Sequence, residues 1–93
     1  MSEYIEAEYE STDDPDVMLI TTNLNLTPDG GPETYQSPAE GDEGSPLAQT
    51  IFGVPGIVSL TLNGGEMLLR REPETPWYDL IEDVRDALRD FFL

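Results

Sequence analysis

SPLAQTIFGVPGIVSLTLNGGEMLLRRE, residues 45–72, holds a helix start, a tight turn and two apolar strands in sequence. As an N-cap, Ser45 accepts a hydrogen bond from an early free amide, and Pro46 at the first helical position gives up an N–H that would have no partner there. Leu47, Ala48, Ile51 and Phe52 recur at helical spacing, which predicts a short helix of about two turns. Gly53 is expected to take the left-handed cap after the last turn, and Pro55-Gly56 suits the central positions of a type II turn. Residues 56–72 then read as a β-hairpin whose register is decided by burial. A loop at Gly64-Gly65 sets Leu62 opposite Met67 and Leu60 opposite Leu69. One at Asn63-Gly64 sets Leu60 opposite Met67 and Val58 opposite Leu69, and both leave one apolar face. A three-residue loop is rejected, because it sets Leu62 against Glu66 and Val58 against Arg70 and so places charge on the buried side.

Working outward, Arg70 and Arg71 point to opposite faces at the end of the hairpin, where ordinary pairing with nearby carboxylates is expected in preference to a ligand clamp. Pro73-Glu74 breaks the strand, and Thr75-Pro76 repeats the Ser-Pro logic, with Thr75 as N-cap of a final helix. Trp77, Leu80, Ile81, Val84, Leu88 and Phe91 form its apolar stripe with Ala87 beside them, a core face and not a cofactor box. Asp79, Glu82, Asp83, Asp86 and Asp90 line the rest, with Arg85 and Arg89 at offsets that allow pairing.

On the amino-terminal side, residues 4–10 alternate, with Ile5, Ala7 and Tyr9 on one side and Tyr4, Glu6, Glu8 and Glu10 on the other, as a half-buried strand requires. Residues 11–16 stop it: Pro15 lacks an amide hydrogen, and the short Ser and Asp side chains bond their own backbone. Asp13, Asp14 and Asp16 lack the spacing, central Gly and distal Glu of a calcium loop, so they are read as a turn. Residues 17–26 form a second strand antiparallel to the first, with Met18, Ile20, Thr22, Leu24 and Leu26 on one face, more buried at its start than at its end. Residues 27–44, rich in Pro, Gly and acid, are expected to be a flexible acidic loop, with residues 34–37 as a candidate short edge strand.

The 93 residues fit a single domain spanning 1–93 with a modest core, too small for a large catalytic cleft. Twenty acidic residues against four arginines, with no lysine, give a formal net charge of -16, which disfavours nucleic acid and anionic membranes as partners. The absence of Cys and His removes disulfides, thiolate nucleophiles, imidazole bases and the usual zinc, haem or cluster ligands. General acid–base work would rest on carboxylates alone, so an enzyme is not expected, and no catalytic, cofactor-binding or metal residue is assigned. Residues 1–4 carry no basic residue ahead of an apolar run, and no stretch approaches the roughly 20 apolar residues of a membrane span, so the cytoplasm is the expected location.

Glu10-Ser11-Thr12-Asp13-Asp14-Pro15 before a strand, Ser45-Pro46-Leu47-Ala48 opening a helix, Gly53-Val54-Pro55-Gly56-Ile57, the hairpin and the Trp77-bearing helix together resemble the N-terminal domain of the NifU-like (Nfu-type) iron-sulfur scaffold proteins. The resemblance spans nearly the whole chain. Asp13 and Asp14 stand where that family has the first Pro and the Asn of a Thr-Pro-Asn-Pro turn, and Leu19-Ile20 stands where Lys-Phe is usual. The resemblance implies an α+β fold, a small antiparallel or mixed sheet of four to five strands with two helices packed on one face, and a place in iron-sulfur cluster biogenesis. In full-length relatives the cluster thiolates lie in a separate domain with a Cys-x-x-Cys motif, so no cluster ligand carries over. The implied role is an accessory interaction module that docks to scaffold or client proteins, with a monomer favoured. Two other readings explain the acidity itself: a docking surface for a basic partner through Glu40, Asp42, Glu43 and the acidic helix face, or a halophilic composition in which salt screens self-repulsion.

Overall fold

A computed structural model describes residues 5–28 and 30–93. The readings that fall on residues 1–4, including Tyr4 in the first strand, and on Asp29 lie outside the described residues. The elements are β1 (Ala7–Ser11), β2 (Val17–Thr22), β3 (Glu33–Tyr35), α1 (Pro38–Asp42), α2 (Pro46–Phe52), β4 (Ile57–Asn63), β5 (Glu66–Arg71) and α3 (Trp77–Phe92). The strands form one antiparallel sheet in the order β1-β2-β5-β4-β3. The fold is therefore α+β, with the five-stranded sheet of the upper expectation and three helices in place of two.

The hairpin takes the Gly64-Gly65 loop: Leu62 lies opposite Met67 and Leu60 opposite Leu69. This is one of the two registers that keep an apolar face, and Leu60, Leu62, Met67 and Leu69 all lie in the core beside Ile20, which pairs with Met67 across β2 and β5. A bulge at Val58 breaks the register between Ile57 and Ser59. It is needed because Ile57 and Leu60 are both buried although three residues apart, an offset that regular alternation cannot satisfy. Leu47, Ala48 and Ile51 of α2 and Leu80, Val84 and Leu88 of α3 close the same core over one face of the sheet. The opposite face carries Leu19, Thr21, Thr61, Leu68 and Arg70, all half-buried or exposed, and no helix of the described residues covers it.

Several local expectations change. The second strand ends at Thr22, not at 26, because the Thr22 hydroxyl accepts from the Leu24 N–H at 3.2 Å and turns the chain. The following residues clasp the hairpin tip: the Leu26 N–H donates to the Gly64 carbonyl at 2.8 Å and the Gly64 N–H to the Thr27 hydroxyl at 2.9 Å. Leu26 and Thr27 are consequently buried, so the end of this segment, expected to be the more open part, is core. Residues 27–44 are not all loop. β3 forms the sheet edge one residue earlier than expected, pairing Glu33 with Leu62 and Tyr35 with Leu60. After it Ser37 caps α1, its hydroxyl accepting from the Glu40 N–H at 3.2 Å.

Gly53 adopts right-handed helical geometry at φ -67°, and its N–H closes the last turn onto Gln49 and Thr50. The positive φ sits instead at Gly56, at 97°, as the type II turn requires. Thr75 does not cap α3, whose N-cap is Pro76 without a side-chain hydrogen bond; its side chain packs over Gly56. On the α3 stripe Phe91 is exposed, and Phe92 packs against the core in its place.

Candidate functional site: a clamped acidic turn and an open sheet edge

The turn between β1 and β2 is built by its own side chains. Thr12 Oγ1 donates toward the carbonyls of Asp14 and Val17 at 3.1 and 3.0 Å, and the Asp16 N–H donates to Asp14 Oδ1 at 2.9 Å. Both arginines at the end of β5 reach this turn, on opposite sheet faces as their consecutive positions dictate. On the open face Arg70 pairs with Asp14 at 3.0 Å. On the core face Arg71 pairs with Asp16 at 3.3 Å, donates from Nη1 to the Thr75 carbonyl at 2.9 Å, and lies 4.9 Å from the centre of the Trp77 ring. Trp77 Nε1 donates in turn to the Pro15 carbonyl at 2.9 Å. The turn, the end of β5 and the start of α3 are thereby one connected unit.

The Asp16 N–H, and then the Arg70 guanidinium, hold the Asp14 carboxyl below its usual range. The arginines are thus engaged with carboxylates, as expected, and are not free to clamp an anion. No group of three or more acidic residues among those described is arranged to hold a metal ion, and the carboxylates of Asp14 and Asp16 are engaged in a hydrogen bond and two ion pairs instead. A cavity of 410 Å³ runs beside the unit, lined by Ser11, Thr12, Asp13, Met18, Arg71 and Trp77 among others. No helix of the described residues is long and apolar enough to cross a membrane.

The acidic residues expected from sequence as a docking surface lie on and beside α1 and on α3. Glu40 is spent within α1, where its carboxylate accepts from the Gln36 N–H at 3.0 Å. Asp42 and Glu43 stand exposed at the end of α1. On α3, Arg89 pairs with Asp86 at 3.6 Å, whereas Arg85 makes no ion pair among the described residues and lines a cavity beside β1 instead. That cavity, of 560 Å³, is flanked by Ile5, Ala7, Tyr9 and Thr22. Burial pushes the Tyr9 phenol above its ordinary range, with nearby Arg85 acting in the opposite direction. The Tyr9 hydroxyl is itself buried without a hydrogen-bond partner among the described residues. Tyr9 lies on the core face of the strand, as the alternation predicts, whereas the cavity has no signal in the sequence because it brings Arg85 of α3 beside β1.

Known proteins share this architecture. The chain resembles the crystal structure of protein SAV1430 from Staphylococcus aureus, with a TM-score of 0.70 at 17% identity over 87% of this chain and 94% of that one. The solution structure of the same protein matches with a TM-score of 0.60 at 20% identity, covering 86% of this chain and 85% of that one. The solution structure of SeR13 from Staphylococcus epidermidis matches at 0.58 and 15% identity, covering 90% of this chain and 94% of that one. At these identities the likeness is one of fold. No curated protein sequence matches. A model of the N-terminal region of scaffold protein Nfu/NifU matches residues 7–93, from the first residue of β1 to the end of the chain. The chain belongs to the Nfu/NifU N-terminal family, whose setting is iron-sulfur cluster biogenesis.

Proposed function

We propose that this chain is a non-catalytic accessory module of iron-sulfur cluster biogenesis, which docks onto scaffold or client proteins and holds no cluster itself. Family membership across residues 7–93 carries the reading. Its accessory character is supported by composition, because a chain without Cys and His offers neither thiolate nor imidazole to cluster iron. Among the described residues, the uncovered sheet face and the free edge of β1 offer surface for a partner, while the arginines of the clamped turn are occupied with its aspartates. A cytoplasmic, monomeric protein without affinity for nucleic acid or membranes is part of the same proposal. The test is titration calorimetry, with parallel pull-downs, of the purified chain against a Cys-x-x-Cys scaffold domain and against apo iron-sulfur clients. Binding to at least one is expected; silence across the whole panel would sink the reading.

The net charge of -16 favours a second reading, in which the chain docks to a basic protein unrelated to clusters. Such binding weakens steeply with ionic strength, because exposed charges are screened beyond about 8 Å at physiological salt. Affinity unchanged between low and high salt would rule it out.

A further inference from the structure

β1 has a strand on one side only among the described residues, and its pairing shows which backbone groups face outward. The Glu6 N–H donates to Asn23 Oδ1 at 3.0 Å and the Asn23 N–H donates to the Glu6 carbonyl at 3.2 Å, so Glu6 turns its backbone toward β2. In an antiparallel ladder this alternates. Glu8 and Glu10 therefore also face β2, whereas Ala7, Tyr9 and Ser11 present their N–H and carbonyl groups to the free edge. The side chains follow the same period, with Glu6, Glu8 and Glu10 exposed on the open face and Ile5, Ala7 and Tyr9 half-buried on the core face.

We propose that this edge takes up an extended segment of a partner protein in which basic residues alternate with apolar ones, added as a sixth strand. Backbone hydrogen bonds to Ala7, Tyr9 and Ser11 supply the pairing, and the alternating side chains supply the selectivity. Lysine or arginine on the open face lies beside the three glutamates, two of which, Glu6 and Glu8, also line the 560 Å³ cavity at this edge, and apolar residues on the core face lie beside Ile5, Ala7 and Tyr9. A second copy of this chain does not fit the edge. Antiparallel pairing of β1 with itself keeps like faces together and aligns Glu6, Glu8 and Glu10 with their own counterparts, which is destabilising. The inference rests on the docking role proposed above and names the surface and the chemistry of its partner.

The test is an NMR titration of the full chain with a synthetic heptapeptide alternating Lys and Val, and with a twin in which Glu replaces Lys. The Lys peptide is expected to bind, to shift residues of β1, and to slow amide exchange at Ala7, Tyr9 and Ser11, while the Glu peptide leaves the spectrum unchanged. Replacing all three glutamates by Gln weakens the Lys peptide roughly tenfold, the sum of three modest cross-strand pairs. Ala7→Pro, which removes an outward amide but none of the β1–β2 ladder, abolishes binding. If that variant loses its fold, amide exchange in the unsubstituted chain decides alone. Shifts confined to the α3 acids, exchange unchanged along β1, or no binding at low salt would overturn the proposal. A chain that captures an iron-sulfur client yet ignores the peptide keeps its docking role and loses this edge. A chain that takes the peptide but no iron-sulfur protein keeps the edge and loses the cluster role.

Discussion

Replacing Arg71 by Met keeps most of the aliphatic stem and removes the guanidinium that joins the turn, β5 and α3. Only 18% of the Arg71 side chain and 27% of Asp16 is exposed, so solvent screens this pair less than the Arg70–Asp14 pair on the open face. The ion pair contributes up to about 1 kcal/mol, the hydrogen bond to the Thr75 carbonyl about 1 kcal/mol, and the contact with Trp77 about 0.5–1 kcal/mol. Because these share one group and do not add fully, the expected loss is about 2 kcal/mol. For a domain of this size that lowers the melting temperature by about 10 °C. Urea unfolding followed by Trp77 fluorescence measures it directly, since Trp77 is the only tryptophan. A double-mutant cycle with Trp77→Phe, followed by far-ultraviolet circular dichroism because that variant has no tryptophan, should return a coupling of about 0.5–1 kcal/mol. A loss under about 0.5 kcal/mol for Arg71→Met would refute the claim that this arginine ties the unit together.

Gly56→Ala forces a positive φ on alanine and brings its Cβ within 2.6 Å of the Thr75 side chain, so a loss of about 1–3 kcal/mol is expected in denaturant melts. Asp14→Ala tests the turn through pH. The folded carboxyl is depressed below its usual 3.8, so its contribution is present above that value and fades as pH falls through the lower folded one. The melting-temperature gap between Asp14→Ala and the unsubstituted chain should therefore be widest near neutrality and close in acid. If self-repulsion of the -16 charge costs stability, as a halophilic composition implies, added salt raises the melting temperature. A flat salt profile argues against that origin of the acidity.

The hairpin register was legible in part: one residue of slip would have placed Glu66 and Arg70 against the core, which burial forbids, but the Gly64-Gly65 and Asn63-Gly64 loops both keep one apolar face and burial does not choose between them. The missing helix α1 had the same Ser-Pro opening as α2, but Gly41 and Gly44 suggested a loop. The structure gives Gly41 another purpose, since a Cβ there would run into the ring of Phe52. Leu26 was read as the weak end of a strand because the clasp around Gly64 and Gly65 depends on hydrogen bonds between segments 37 to 43 residues apart. The same limit hid the pairing of Asp14 and Asp16 with Arg70 and Arg71. Sequence periodicity predicted that the arginines part to opposite faces, but which acids they meet is decided by β2 docking on β5.

That docking also dictates the order in which the sheet can assemble. β4 and β5 are neighbours in the chain and close across the short Gly64-Gly65 turn, whereas Met18 must find Leu69 across half the sequence. The local hairpin forms before the entropy of the longer loop is overcome, and it becomes the template on which β2 condenses. Truncation of Leu60 or Leu69 therefore slows folding, while changes in β1 and β3 act mainly on the unfolding rate. The outermost strands can then fray and re-form while the central β2-β5-β4 ladder stays intact.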